Sequence, residues 1–255
     1  MRHLLLGSAL VVLLIASCST DDEPQTTDEL SLGYRDSIIQ VVASGCTGPV
    51  TDCGGVDIRF PVFSDGDSGV AELLNRRIRA FFVDELGGGD VENTNMPDIG
   101  ESARSLVSEF EEFRKKYPTS SQIWVVQGNA TILNADSILC IRAETYSYLG
   151  GAHPNTQTVY DLVRISDGHR LKISDLTADT TALLAAAEKA FRKVAGMKDT
   201  DSDYASQGFW FDNNVFALPS NVGLTKDSVI LHYNPYEIAP YSMGAFTVTL
   251  PRLDL

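Results

Sequence analysis

Two stretches of this chain gather side chains able to bind or to catalyse. One is Tyr146-Ser147-Tyr148-Leu149-Gly150-Gly151-Ala152-His153-Pro154-Asn155; the other is His232-Tyr233-Asn234-Pro235-Tyr236-Glu237-Ile238-Ala239-Pro240-Tyr241. The paired glycines permit positive φ or close backbone approach, and Pro154 and Pro235 stiffen the residues after them. Polar-tipped aromatics beside a histidine and a glutamate are the materials of a recognition surface, so Tyr146, Tyr148, Gly150, Gly151, His153, Asn155, Tyr236, Glu237 and Tyr241 are its candidate residues. The same set suits a structural corner, because a buried tyrosine hydroxyl commonly satisfies a loop backbone group. Acid–base work by His153 and Glu237 needs the two to converge in space, which their positions in the chain do not dictate.

Other patterns fail on inspection. Asp199-Thr200-Asp201-Ser202-Asp203 alternates carboxylates like the start of a calcium loop, but Tyr204 stands where the turn needs Gly and Trp210 where the final acid belongs. It reads as a solvated loop. Gly87-Gly88-Gly89 has no following Lys-Ser/Thr and comes after a helical pattern, so it terminates a helix and does not cradle a phosphate. There is no Gly-x-Ser-x-Gly elbow, and no Ser or Cys is marked as a nucleophile for His153, His169 or His232; His169, in Asp167-Gly168-His169-Arg170, reads as a hairpin-turn residue. No catalytic residue, metal ligand set or cofactor is assigned.

The start of the chain bears on location. Arg2 and His3 precede an apolar run from Leu4 to Ala16 that is short for a bilayer span, and small residues lead to Cys18. Ile15-Ala16-Ser17-Cys18 resembles the lipobox of bacterial lipoproteins, in which the cysteine becomes the acylated first residue of the mature chain. Residues 1–17 are then a lipoprotein signal peptide, and loss of Arg2 takes the net charge from −14 to −15. Acylation holds a protein to a membrane without a spanning helix. Residues 18–33, with Asp21-Asp22-Glu23-Pro24, form an acidic flexible tether; its charges read either as an outer-membrane export signal or as an ordinary solvated linker. In an exported protein disulfides persist, and Cys46 and Cys53, close together in a Gly-rich loop, are expected to bridge. Cys140, within Ile138-Leu139-Cys140-Ile141, is expected to be an inert core thiol.

The elements that must hold these residues are read from hydrophobic period. With 44% hydrophobic and 21% charged residues among 255, the chain has ordinary globular composition. Its 34 acidic against 20 basic side chains oppose a nucleic-acid partner and favour a basic one. Strands are expected over 37–43 and 56–63, then helices over about 68–86 and on the stripe Ala103, Leu106, Val107, Phe110 and Phe113, ended by Pro118. Strands over 122–133 and 138–148 form a hairpin, a strand over 156–165 comes next, and an Ala- and Leu-rich helix covers 180–194. Strands near 214–217, 228–233 and 245–250 complete the chain. Without regular βαβ alternation this is an α+β fold, with antiparallel sheets and about three helices, in two similar-sized α+β halves (34–134 and 135–255) packed as one body.

The Gly150-Gly151-Ala152-His153-Pro154-Asn155 turn, the Asp167-Gly168 hairpin leading to Leu171-Lys172-Ile173-Ser174-Asp175-Leu176, and Tyr236-Glu237-Ile238-Ala239-Pro240-Tyr241-Ser242-Met243-Gly244 before Val248-Thr249-Leu250-Pro251 carry a resemblance. Together they resemble a bacterial envelope domain of largely unknown function. That domain forms the outer part of a lysozyme-sensing anti-sigma factor and accompanies PdaC-type peptidoglycan deacetylases. The likeness covers about 135–255, while 35–133, from Asp57-Ile58-Arg59-Phe60-Pro61-Val62-Phe63 onward, resembles the partner domain usually found upstream. No sigma-binding segment, transmembrane helix or metal-binding deacetylase motif accompanies these residues. The resemblance implies a non-enzymatic, lipid-anchored extracytoplasmic binding protein, with lysozyme or another cationic protein, or a cell-wall glycan, as ligand. An envelope hydrolase acting on a glycan or peptide is the alternative.

Overall fold

The computed structural model describes residues 32–64, 68–88, 96–135, 137–177, 179–198, 200–201 and 203–252. Cys18, the signal segment and all but the end of the tether lie outside the described residues, as do Gly89 of the glycine run and Asp199 and Ser202 of the acidic loop. In chain order the elements are β1 (Tyr34–Val42), the single-turn α1 (Val50–Cys53), β2 (Gly55–Phe63), α2 (Ser68–Glu85), α3 (Ile99–Lys116), β3 (Val125–Ala135), β4 (Ile138–Tyr148), β5 (Asn155–Arg164), the single-turn α4 (Ile173–Leu176), α5 (Thr180–Val194), β6 (Val222–Leu224), β7 (Ser228–Tyr233) and β8 (Phe246–Pro251).

The fold is α+β, with β1 to β5 forming one sheet in sequence order and β6 to β8 a second. All pairs are antiparallel except β2 with β3, which run parallel in register Gly55↔Val125 to Arg59↔Asn129. The connection between them passes through α2 and α3, and a long helical crossover returns the chain in the same direction. Local signals set the two helices. The apolar stripe of α3 buries Ala103, Leu106, Val107 and Phe110, and Asp98 caps it: its carboxylate accepts from Glu101 N at 2.7 Å while Glu101 accepts from Asp98 N at 3.1 Å. Asp179 caps α5 by accepting from Ala182 N at 2.8 Å.

Strand alternation builds two cores on opposite faces of the large sheet. Leu139, Ile141 and Ala143 of β4 and Val163 of β5 face α2 and α3, with Val56, Ile58, Leu74, Phe82 and Phe110. Cys140, Tyr160 and Leu162, one residue out of phase, pack against α5 and the small sheet. Phe191 of α5 is the hub there, with the rings of Phe209, Phe211, Phe216, Tyr233 and Phe246 around it. The strands on either side of residue 134 are therefore neighbours in one sheet, which both cores share.

The strand expected near 214–217 is replaced by a 3₁₀ turn at Asp212–Asn214, in which Asn213 and Asn214 have φ of 53° and 59°. The strand in this region is β6, three residues long and too short to show a period. Gly223 lets it lie on β5, since a Cβ there would stand 2.4 Å from Tyr160 Cδ1.

Candidate functional site

The turn between β4 and β5 presents His153. Gly150 and Gly151 take φ of 88° and 108°, where a side chain is strained, and a Cβ on Gly150 would come within 2.8 Å of Gln122 Oε1. Tyr148 Oη donates to the Gly151 carbonyl at 3.2 Å, bracing the turn, and Asn155 opens β5 just beyond it. His153 projects from this support into solvent. Its Nδ1 lies 2.8 Å from the Pro154 carbonyl, which can only accept, so Nδ1 carries a proton. In the neutral ring Nε2 then accepts from Tyr236 Oη at 3.2 Å. The ring stacks on Tyr241 with centroids 3.7 Å apart and planes 18° from parallel, and Tyr236 and Tyr241 lie 5.6 Å apart.

The loop that carries the tyrosines is tied to the outer edge of β5. Asn234 Oδ1 accepts from Thr158 N at 2.8 Å and its Nδ2 donates to Thr158 O at 3.0 Å; Asn221 Oδ1 accepts from Tyr160 N at 2.8 Å. Two asparagine side chains thus stand where a sixth strand would pair. His232 supports Asn234 from beneath, with Nε2 3.3 Å from Asn234 Oδ1 and Nδ1 2.9 Å from Thr247 Oγ1. Burial holds its pKa below the ordinary value, with the Asn234 bond opposing.

Glu237 leaves this support in a bent conformation. Its carboxylate accepts from Asn234 N at 2.9 Å, and its main-chain carbonyl accepts from Trp210 Nε1 at 3.0 Å. Glu237 is exposed as a residue, yet desolvation around the folded-back carboxyl raises its pKa, and the Asn234 N–H works in the other direction. Asn234 and Glu237 also line a cleft of about 690 Å³ along β5, with Arg170, Lys172 and Ser174 opposite. No hydrogen bond or ring contact joins His153 to Glu237 among the described residues.

The structure therefore sorts the expected residues. His153, Tyr236 and Tyr241 form one stack; Tyr148, Gly150 and Gly151 shape the turn under it; Glu237 is tied to the neighbouring cleft. Tyr146 stands apart, in a groove on the sheet face with Glu144 and Gln127. Trp210, 48% exposed between the buried Phe209 and Phe211, joins the surface through Glu237 and was not marked as a binding residue by sequence. Its only signal was being the polar-tipped ring in Phe209-Trp210-Phe211. Elsewhere, Cys46 and Cys53 are bonded to each other with Cα atoms 5.7 Å apart. Cys140 is buried, accepts from Leu224 N at 3.2 Å, and has its pKa pushed by burial up to about 11, so it is a protonated core thiol.

Residues 50–156 match the family described as Deacetylase PdaC, and residues 174–252 match the one described as a protein of unknown function, DUF3298. No curated protein matches the chain. Two crystal structures share the fold. One, of a DUF3298-family member from Bacteroides fragilis, is 19% identical with a TM-score of 0.61, covering 87% of this chain and 90% of that one. The other, of a DUF3298-family protein from Pseudomonas aeruginosa, is 20% identical with a TM-score of 0.57, covering 88% of this chain and 93% of that one. The PdaC match associates the chain with the cell envelope. The ring stack joins the two matched segments, His153 coming from the first and Tyr236 and Tyr241 from the second.

Proposed function

We propose that this protein is a non-enzymatic, lipid-anchored binding protein of the cell envelope that holds its ligand on the His153, Tyr236 and Tyr241 surface. The stack itself carries this reading. Three surface rings are locked by a turn and an edge clamp, so little side-chain entropy remains to be lost on binding. Both nitrogens of His153 are engaged, and the Glu237 carboxylate is folded onto its own loop, an arrangement suited to presenting a surface and not to passing a proton between them. Anchoring is supported by Ile15-Ala16-Ser17-Cys18, and the acidic residues after Cys18 support delivery to the outer membrane.

The ligand we favour is a cationic protein of the lysozyme class. A net charge of −14, and −15 after loss of Arg2, steers such a partner toward the molecule. A cell-wall glycan is the second reading, favoured by the stacked rings, which suit a sugar face. The test is capture of lysozyme by the full-length protein in detergent at low and high salt. Binding should weaken markedly once the screening length falls below about 8 Å, and the Tyr236→Ala, Glu237→Ala double variant should lose at least about tenfold in affinity while keeping its circular dichroism spectrum. If the wild type captures no lysozyme at low salt, or the folded double variant captures it equally well, the cationic-protein reading of this surface fails.

A further inference from the structure

The large sheet closes its two edges differently. At β5 the edge is clamped by Asn221 and Asn234. At the other edge β1 runs for nine residues with no proline, no lysine and no bulge in its pairing with β2. Ser64 N donates to Gly33 O and Ala43 N to Gly54 O, so the odd-numbered residues of β1 bond inward to β2. The N–H and C=O of Tyr34, Asp36, Ile38, Gln40 and Val42 therefore point outward, and none meets a hydrogen-bond partner among the described residues.

The side chains agree with an open edge. Ile39 and Val41 pack against the core under α2 and α3, which leaves Ile38 on the opposite face, 55% exposed. Arg35 and Asp36 are exposed and make no ion pair or side-chain hydrogen bond among the described residues. A strand of this length with free backbone groups and an exposed isoleucine is a template for another strand.

The strand is also complementary to itself. Laid antiparallel on a second copy about a two-fold axis through Ile38, all nine residues overlap, and the outward residues become hydrogen-bonded pairs. Ile38 then meets Ile38, and Tyr34 meets Val42. Asp36 falls opposite Gln40, whose amide donates to Asp57 at 3.3 Å and has a second N–H to give. Arg35 falls opposite Val41 on the helix side, one diagonal step from Ala43 and toward Glu111, whose carboxylate accepts from Ser44 N at 2.7 Å. No like charges face each other in this register.

We propose that antiparallel β1–β1 pairing joins two copies of this protein into a two-fold dimer with one continuous sheet. The His153 stack lies across the sheet from this edge, and the pairing does not rest on the ligand proposed for it. Anchoring at Cys18 would favour the dimer, since copies confined to one membrane have a raised effective concentration. The two Tyr34 residues stand about 27 Å apart in the dimer, and the tether over 18–33 reaches up to about 50 Å, so both anchors can enter the same membrane.

The test uses the full-length protein in detergent. Sedimentation equilibrium should give a dimer for the wild type. Ile38→Lys, which sets two like charges opposite each other on the axis, should weaken it at least about tenfold with an unchanged circular dichroism spectrum. Under mild oxidation Ile38→Cys should give a disulfide-linked dimer, because the paired Cα atoms at the axis lie about 5.5 Å apart. Tyr34→Cys, with its two thiols about 27 Å apart, should stay at the wild-type background. Both positions are exposed, so the variants should keep the fold. The proposal is overturned if the wild type is monomeric, if folded Ile38→Lys associates as the wild type does, which would assign the dimer to another surface, or if Tyr34→Cys cross-links as readily as Ile38→Cys. Protection of the outward β1 amides from exchange in a monomeric wild type would also overturn it and give the edge to another segment of this chain.

Discussion

Tyr236 adopts φ of 69°, a left-handed conformation that costs a β-carbon residue roughly 1–2 kcal/mol, and it is 54% exposed. The reward is the placement of its hydroxyl on His153. Tyr236→Gly is therefore expected to raise the melting temperature by a few degrees, through about 1 kcal/mol of relieved strain, while lowering ligand capture; a fall in both would mean that the ring supports the fold. Glu85 offers a second test at this scale. Its carboxylate accepts from Thr145 Oγ1 at 2.9 Å, and burial raises its pKa, with the Thr145 bond opposing and Asp84 adding to the rise. A raised pKa means the folded state holds the proton more tightly. The stabilisation is complete below the unfolded value of about 4.5 and is lost as pH climbs through the folded value. Glu85→Gln keeps an acceptor for Thr145 and cannot titrate, so its urea midpoint should decline less than that of the wild type between about pH 4 and pH 7.

The edge clamp is the telling feature among the elements. β5 ends the large sheet, and along its outward edge the Thr158 N–H goes to Asn234, the Thr158 carbonyl accepts from both Asn234 and Asn221, the Tyr160 N–H goes to Asn221, N-terminal to β6, and the Leu162 carbonyl accepts from Leu171 N. Asn234→Ala strands the Thr158 N–H and removes a partner of His232, while Asn221 Nδ2 still donates to Thr158 O at 2.6 Å; it should cost about 1–2 kcal/mol, read as a lower melting temperature and as faster amide exchange at Thr158. Because the same residue fixes the loop bearing Tyr236, ligand capture should fall with it. The helices and the β3–β4 hairpin were legible in sequence: β4 runs over Ile138–Tyr148 and α5 over Thr180–Val194, the ranges expected, because each carries its own period and its own cap or turn. The region around 214–217 was not. Val215-Phe216-Ala217 has strand-like composition, but two left-handed asparagines just before it form a turn, and Phe216 is recruited to the ring cluster around Phe191.

At the scale of the whole molecule, attachment is tested by Cys18→Ala. That variant should move from the detergent phase to the aqueous phase, because acylation needs the thiol and no helix among the described residues is long and apolar enough to cross a membrane. Unchanged partition in the variant would refute lipidation at Cys18. The two cores meet across one sheet, so disturbance of β4 or β5 reaches both, and the molecule should unfold as a unit with no separate transition for either half.

What the sequence determined by itself is what depends on near neighbours. Amphipathic stripes, capping residues, the hairpin turn and the Cys46–Cys53 bridge, whose cysteines are seven positions apart, are settled within a few turns of chain, where closure costs little entropy. The tertiary structure decided the rest. His153 and Tyr236 are 83 positions apart, and they meet because an asparagine clamp carries the loop bearing Tyr236 to the edge of β5, beside the turn that presents His153. Tyr146 and Tyr148 share a strand face, yet Tyr148 braces the turn while Tyr146 lines the groove, where Gln127 is its registered partner on β3. Which strands become neighbours, and hence which alternating residues share a face, is fixed by pairing across the sheet. A slip of one residue would exchange those faces, and no local pattern along the chain records which register the packing of both cores will select.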